Sequence, residues 1–265
     1  MNFHHIDPVI FSLGPLQVRW YGLMYAIGFI ASFYLVKLQI KKFGCKKLGE
    51  QIEDLNITLI LCLILGGRLG YVIFYNLPHY LAHPLEIPAI WAGGMSFHGA
   101  CLTLLIGGGM FCYIKKISFW QAADLYAATA PIGLGLGRIG NFINGELYGR
   151  VSDVPWAMVF PYGGNLPRHP SQLYEFFLEG IVLFILLWSN HARPWRQEKL
   201  WPHGSIIALF LIGYGILRIL AEFFREPDQQ LGYLAGHLTM GQTLSAAMII
   251  IGITIWAGRI KSGQR

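Results

Sequence analysis

The chain has 265 residues, of which 54% are hydrophobic and only 13% charged, and its mean hydropathy is +0.48. A soluble domain carries about twice that share of charge, so the composition excludes a water-soluble fold and implies an integral membrane protein. The formal charge of +6 is spread over loops without a patterned basic surface, which argues for lipid headgroups as its counterpart and against nucleic acid.

The opening MNFHHIDP carries Asp7 and no Lys or Arg, and no A-x-A pattern follows, unlike a secretory signal peptide. The first apolar stretch is therefore expected to stay in place. Seven spans are predicted, at 17–37, 55–76, 93–114, 119–138, 172–190, 204–224 and 239–258. Residues 20–36 and 238–258 contain no Asp, Glu, Lys or Arg, and each suits a helix crossing a core of about 30 Å. Between the fourth and fifth spans, 139–171 holds Pro155, Pro161, Pro167, Pro170, Gly163 and Gly164, which reads as a small irregular head. Cys62, Cys101 and Cys112 fall in spans and Cys45 in a Lys-rich loop, so neither a disulfide framework nor a metal site is expected. The expected fold is an all-α integral membrane protein with seven transmembrane helices, 1–265 forming a single polytopic domain.

Thirteen of the twenty basic residues cluster at one end of the spans, in 37–47, at Lys115 and Lys116, in 193–199, and in 259–265. Lys and Arg accumulate on the cytoplasmic face. With seven spans, the N-terminus then lies outside and the C-terminus inside. The loops 77–92, 139–171 and 225–238 face outward, which makes 139–171 an extracytoplasmic head.

An ionisable residue at membrane depth must find a protein, lipid or substrate partner, because hydrocarbon cannot hydrate it. Such residues here are Arg68, His98, Asp124, Arg138, Glu146, Glu175, Glu179, Arg218, Glu222 and Arg225. The run GRIGNFINGELYGR at 137–150 alone carries Arg138, Glu146 and Arg150. In the sixth span Tyr214, Arg218, Glu222 and Arg225 share roughly one helical face, which either lines a polar cavity or places Arg218 and Glu222 as an i,i+4 pair. His98, in AGGMSFHGA, is either a base near neutral pH or a packed residue bonded to a neighbour. His169, in RHPSQLYE, is a second outward histidine with an interfacial or capping role as its alternative.

The chain has no H-E-x-x-H, no G-x-S-x-G and no Walker loop, and Ser96 sits too close in sequence to His98 for serine catalysis. A transferase acting between two bound substrates needs no protein nucleophile. Arginines would then hold a phosphate, since a guanidinium fork binds phosphoryl oxygens bidentately and keeps its charge.

Six strings, WYGLMY at 20–25, GGRLGYVIFYN at 66–76, GGMSFHG at 93–99, GRIGNFINGELYGR at 137–150, LPRHPSQLYE at 166–175 and LIGYGILRILAEFFREPD at 211–228, carry a resemblance along nearly the whole chain. The sequence resembles the bacterial phosphatidylglycerol–prolipoprotein diacylglyceryl transferases. That resemblance implies transfer of the diacylglyceryl group of phosphatidylglycerol to the lipobox cysteine of a prolipoprotein signal peptide in the bacterial inner membrane, without a cofactor. It also implies a site. His98 matches the essential histidine, while Arg138, Asn141, Glu146 and Gly149 match the diagnostic run. Tyr21, Tyr214 and Arg218 match residues tied to activity or lipid binding, and His169 and Arg225 match further family positions. On this reading Arg138 and Arg218 hold the phosphate, His98 handles the thiol proton, and Asn141 and Glu146 position the headgroup or the arginines.

Two departures stand out: Ala100 follows His98-Gly99 where a second glycine is expected, and the segment between Pro155 and Arg168 is short for the family. Two other classes remain at this point, a transporter and a non-catalytic lipid-binding protein. A transporter would need polar residues continuing to the cytoplasmic half, where only Asp124 lies.

Overall fold

The structure, a computed structural model, describes residues 6–14, 16–226, 233–234 and 238–263. It is mostly helical. Six helices among the described residues are long and apolar enough to cross a membrane. Their outer faces carry exposed side chains such as Ile30, Leu61, Leu105, Met110 and Ile250, a surface that only lipid covers without cost. The chain is a multi-pass membrane protein.

The chain forms two compact units, one of residues 40–122 and one of residues 1–39 with 123–265. The larger opens with a hairpin of β1 (Val9–Leu13) and β2 (Leu16–Arg19), followed by α1 (Trp20–Phe43). The first predicted span thus begins three residues late, because 17–19 pair with 9–12 of β1 as a strand. The smaller unit is built on α2 (Lys46–Phe74), a short α3 (Leu77–Ala82) and α4 (Phe97–Ile114).

The helices α2 and α4 approach until their backbones touch. A Cβ on Gly99 would lie 2.4 Å from the Gly66 carbonyl oxygen, so only glycine fits there. Without a hydrophobic driving force between helices in lipid, such small-residue seams supply the packing, and the Thr103 hydroxyl adds a 2.7 Å bond to the Cys62 carbonyl. Arg68 is buried and donates to the carbonyls of Glu86, Ile87, Gly93 and Gly94 at 2.6–3.2 Å, with its guanidinium over the Tyr80 ring. It clamps the 84–94 loop.

The predicted fourth span is two helices, α5 (Phe119–Ala127) and α6 (Ala130–Ile143), separated at Ala128 and Thr129. Pro131 lies in the first turn of α6, where its missing N–H costs nothing, and the Thr129 hydroxyl bonds the Tyr126 carbonyl at 3.0 Å and the Ser32 hydroxyl at 2.7 Å. Six continuous spans are therefore present, with a broken segment between the third and fourth. The fifth predicted span is α7 (Ser171–Glu175), a wide π-helical stretch (Phe176–Val182) and α8 (Leu183–Asn190), followed by α9 (Ser205–Glu222). A two-residue strand pair, β3 (Tyr233–Leu234) and β4 (Leu238–Thr239), then leads into α10 (Met240–Gly263). The all-α membrane-protein expectation fits, with two short strand pairs beside the helices among the described residues.

Glycines let α6 sit between two neighbours. Gly133 and Gly140 face Gly28 and Tyr21 of α1, while Gly135 faces Gly180 of the π-helical stretch. The core of this unit is Ala127, Ala128, Leu183, Leu187 and Ile206. At one end, the buried Asp124 carboxylate accepts the backbone N–H of Gly204, Ile206 and Ile207 at 2.7–3.0 Å. An anion at a helix N-terminus satisfies donors that have no partner within the helix, so Asp124 serves α9. The opposite end of the same helices holds the other charges.

Candidate active site

At that opposite end Arg138 of α6, Arg218 of α9 and Arg225 converge on two glutamates of the fifth span. Glu175 lies on the last turn of α7, Glu179 within the π-helical stretch, and neither is exposed to solvent. Arg138 places Nε 2.8 Å from Glu175 Oε2 and Nη2 3.4 Å from Glu179 Oε2. Arg218 places Nη1 2.8 Å from Glu175 Oε2 and 3.2 Å from Glu179 Oε1, and Nη2 2.8 Å from Glu222 Oε2. Arg225 Nη1 lies 3.2 Å from Glu175 Oε1. Three guanidiniums thus meet three carboxylates, and one carboxylate, Glu175, touches all three cations. Gly241 makes room for the third, since a Cβ there would fall 2.8 Å from the Glu222 carboxyl carbon.

The balance decides the energetics. An ion pair taken from water loses several kcal/mol of hydration per charge, which mutual attraction offsets only when partners and geometry are complete. Here they are nearly so. Wide π-helical turns occur often at functional sites, and this one carries Glu179 beside the Gly135–Gly180 contact. Arg218 makes the i,i+4 pair with Glu222 that the spacing offered, and it also reaches across to Glu175 and Glu179 of another helix.

The run after α6 is fixed by its own polar atoms. Asn141 and Asn144 each donate to Glu146 Oε1, at 2.9 and 3.1 Å, and the buried Gln172 donates to the Glu146 carbonyl at 2.6 Å. Gly149 forms an antiparallel bridge with Arg225, and its N–H reaches the His169 carbonyl at 2.8 Å. A Cβ at Gly149 would stand 2.4 Å from the Phe224 carbonyl oxygen, so no other residue fits. Further bridges of Arg168 with Val151 and Met158 order a stretch that its prolines and glycines suggested was irregular.

His169 sits above this bridge. The Trp156 indole N–H donates to the Tyr174 hydroxyl at 2.6 Å, and that hydroxyl lies 3.0 Å from His169 Nδ1. An indole can only donate, so the arrangement that uses every proton has Tyr174 donating to Nδ1 and leaves the ring proton on Nε2. Burial pushes the His169 imidazole below its ordinary value, which favours this neutral form.

Tyr21 bonds Tyr25 through their hydroxyls at 3.2 Å and packs on Gly140. Tyr214, one turn before Arg218, stacks on Phe210 at 5.8 Å between centroids. Arg138, Asn141, Glu146, Gly149, His169, Arg218 and Arg225 are therefore brought together in one unit, with Tyr21 and Tyr214 on its neighbouring helices. His98 belongs to the other unit. There it is exposed in the first turn of α4, edge-on to Phe97 at 5.9 Å, with Ser96 as the N-cap accepting from Gly99 N–H. No group of three or more His, Cys, Asp or Glu among the described residues is placed to hold a metal ion.

Glu175 and Glu179 were visible as ionisable residues but received no role from the sequence. Their spacing held a signal: like charges at i,i+4 repel unless cations lie beside them. Gln172 and Tyr174 gave none.

A polytopic membrane protein with a balanced arginine–glutamate cluster at one end of its helices is the class that the fold and site define. Residues 8–258 match the family described as prolipoprotein diacylglyceryl transferase. Three proteins carrying the name phosphatidylglycerol–prolipoprotein diacylglyceryl transferase are similar to the chain. That of Desulfotalea psychrophila is 62% identical over 260 residues, 98% of this chain and 96% of its own. Those of Geobacter sulfurreducens and Legionella pneumophila (strain Paris) are 53% and 50% identical, covering 96% and 97% of this chain and 96% and 98% of their own. The chain belongs to the prolipoprotein diacylglyceryl transferase family.

Proposed function

We propose that the chain transfers the diacylglyceryl group of phosphatidylglycerol to the lipobox cysteine of prolipoproteins, the first step of lipoprotein maturation. The observation that carries this reading is the Arg138–Arg218–Arg225 cluster, set on the family's own strings and held by buried glutamates. In the reaction the cysteine sulfur attacks the glyceryl carbon that bears the phosphate ester. The C–O bond breaks, a thioether C–S bond forms, and glycerol phosphate leaves with the bonding electrons. Arg138 and Arg218 stabilise the charge that grows on the departing phosphate, which a water-poor site makes worth several kcal/mol. Asn141 and Glu146 position the headgroup, and Tyr21 and Tyr214 offer hydroxyl donors to the lipid glycerol. His169, Arg225 and Gly149 shape the surface beside it.

Purified protein incubated with phosphatidylglycerol and a lipobox peptide should raise the peptide mass by one diacylglyceryl group. A peptide of unchanged mass, with lipid bound, would leave a lipid-binding protein instead.

His98 enters through the GGMSFHG string and the chemistry of imidazole, as the group that takes the thiol proton so that the thiolate can attack. His98→Gln should slow transfer about 100-fold or more while phosphatidylglycerol still binds. Activity near that of the unaltered protein would remove His98 from the reaction.

We take the whole chain as a single polytopic domain of the bacterial inner membrane, the broken 119–143 segment completing seven crossings. Its N-terminus and the 144–170 head then lie outside, its C-terminus in the cytoplasm. Arg193, Arg196, Lys199 and Arg259 lie toward the Asp124 end, as the positive-inside rule requires. A tag near Gly163 should react from outside in intact inner membranes; reaction only after permeabilisation would reverse the assignment.

A further inference from the structure

Five arginines lie in or beside the site, and four already have an acid. Arg138, Arg218 and Arg225 are held by Glu175, Glu179 and Glu222, and Arg168 Nη1 lies 3.1 Å from Glu226. Arg150 is the exception. Among the described residues no carboxylate lies within 4.0 Å of its guanidinium, and the bond its side chain makes to them runs from Nε to the Arg225 carbonyl at 3.0 Å.

That single bond orients the group. The Arg150 backbone is fixed on both sides, its N–H donating to the Phe224 carbonyl at 2.9 Å and its carbonyl accepting from His169 N–H at 3.0 Å. With the backbone pinned and Nε engaged, Nη1 and Nη2 are left as a parallel pair of donors on a half-buried side chain. That is the edge of a guanidinium that matches two oxygens of a phosphate. Little rotamer entropy remains to be lost on binding.

Charge accounting points the same way. An incoming phosphate adds negative charge to a neighbourhood whose other arginines are already matched by carboxylates. Among the described residues, attraction therefore has to come from a cation without an acid, and Arg150 directly follows Gly149 of the Gly149–Arg225 bridge.

We infer that Arg150 is the residue that captures the phosphate of the anionic lipid, through Nη1 and Nη2, while the paired arginines act on the bond that breaks. This rests on the proposed transferase reading. It makes Arg150 a binding residue whose loss is felt in KM for phosphatidylglycerol more than in kcat.

The test uses purified full-length protein in phosphatidylcholine vesicles with graded phosphatidylglycerol and a lipobox peptide. A charge-assisted bidentate contact corresponds to about a ten- to hundredfold change in binding. Arg150→Gln should raise the apparent KM for phosphatidylglycerol by that factor and leave kcat within about threefold. Arg150→Lys, which keeps the charge and tolerates the same backbone, should fall between the two and serves if the Gln variant does not fold. Adding phosphatidic acid to the vesicles should inhibit the unaltered protein by competition and lose that effect in Arg150→Gln. If inorganic phosphate competes equally well through Arg150, the site reads free phosphate and its specificity for a lipid is overturned. An unchanged KM in both variants, or a kcat loss at constant KM, overturns the inference as a whole. Failure of the unaltered protein to modify the peptide would instead remove the transferase reading beneath it.

Discussion

Glu175→Gln is expected to lower transfer at least 100-fold and to depress the thermal midpoint of the purified protein, although it removes one charge and changes almost no volume. Among the described residues, Glu175 is the carboxylate in contact with Arg138, Arg218 and Arg225 together, at 2.8–3.2 Å. Its neutral amide would take away the acid that these three cations share in a buried site, and unpairing a buried charge costs about 3–5 kcal/mol. That is a large part of the 5–15 kcal/mol by which proteins are typically stable. The arginines should then swing away from the geometry that serves the leaving phosphate. Measuring diacylglyceryl transfer in membranes, normalised to folded protein, separates the catalytic loss from the folding loss. Tighter phosphatidylglycerol binding with normal turnover would show that Glu175 competes with phosphate and would contradict the positioning role.

Arg138→Lys and Arg218→Lys are each expected to be severely impaired, with Gln at either position worse. Arg218 uses two nitrogens to reach three carboxylates from two helices, and a lysine ammonium is a single point that cannot span them. Arg138 likewise divides Nε and Nη2 between Glu175 and Glu179. If Arg218 only neutralised Glu222 within α9, lysine would suffice, because an i,i+4 Lys–Glu pair replaces it. Near-normal turnover in both lysine variants would therefore leave a diffuse positive potential as the whole contribution. Phosphatidylglycerol binding, measured alongside, shows whether the loss lies in capture or in chemistry.

The spans were legible because hydrocarbon imposes length and apolarity on any helix that crosses it. Their ends were not. Residues 17–19, Gln-Val-Arg, run without a break into the apolar stretch of α1 yet pair as part of β2, and the Gly14-Pro15 dipeptide was the local sign of a turn. The interruption at Ala128 and Thr129 was hidden for a related reason: Ala and Thr do not mark a break, and Pro131 is compatible with a helix start as well as a kink. Within the site, Arg138, Arg218 and Arg225 stood out because charge at that depth demands a partner. Their partners did not, since Glu179 lies 41 residues from Arg138 and 39 from Arg218, and a single sequence carries no trace of which distant residues meet. Arg68 shows the converse. Its depth suggested function, and four backbone carbonyls account for it. The loop 225–238 was predicted to face outward, and 227–232 and 235–237 lie outside the described residues.

The separation of the charges along the chain also bears on how the protein enters its membrane. The broken 119–143 segment is not among the helices long and apolar enough to cross alone, and it carries Arg138 in its second half, whose acids arrive 37 and 41 residues later. A lone arginine costs a nascent helix about 2.5–3.5 kcal/mol at mid-bilayer, and less toward the interface. Glu175 and Glu179 leave the ribosome with a complementary debt, and Arg218 follows 39 residues after Glu179 and Arg225 50 residues after Glu175. Each segment is poorly suited to lipid by itself and well suited to its neighbours. The middle of this chain is thus expected to settle only once 205–225 is in place, and truncation before that stretch is expected to remove more than the helices that are cut away.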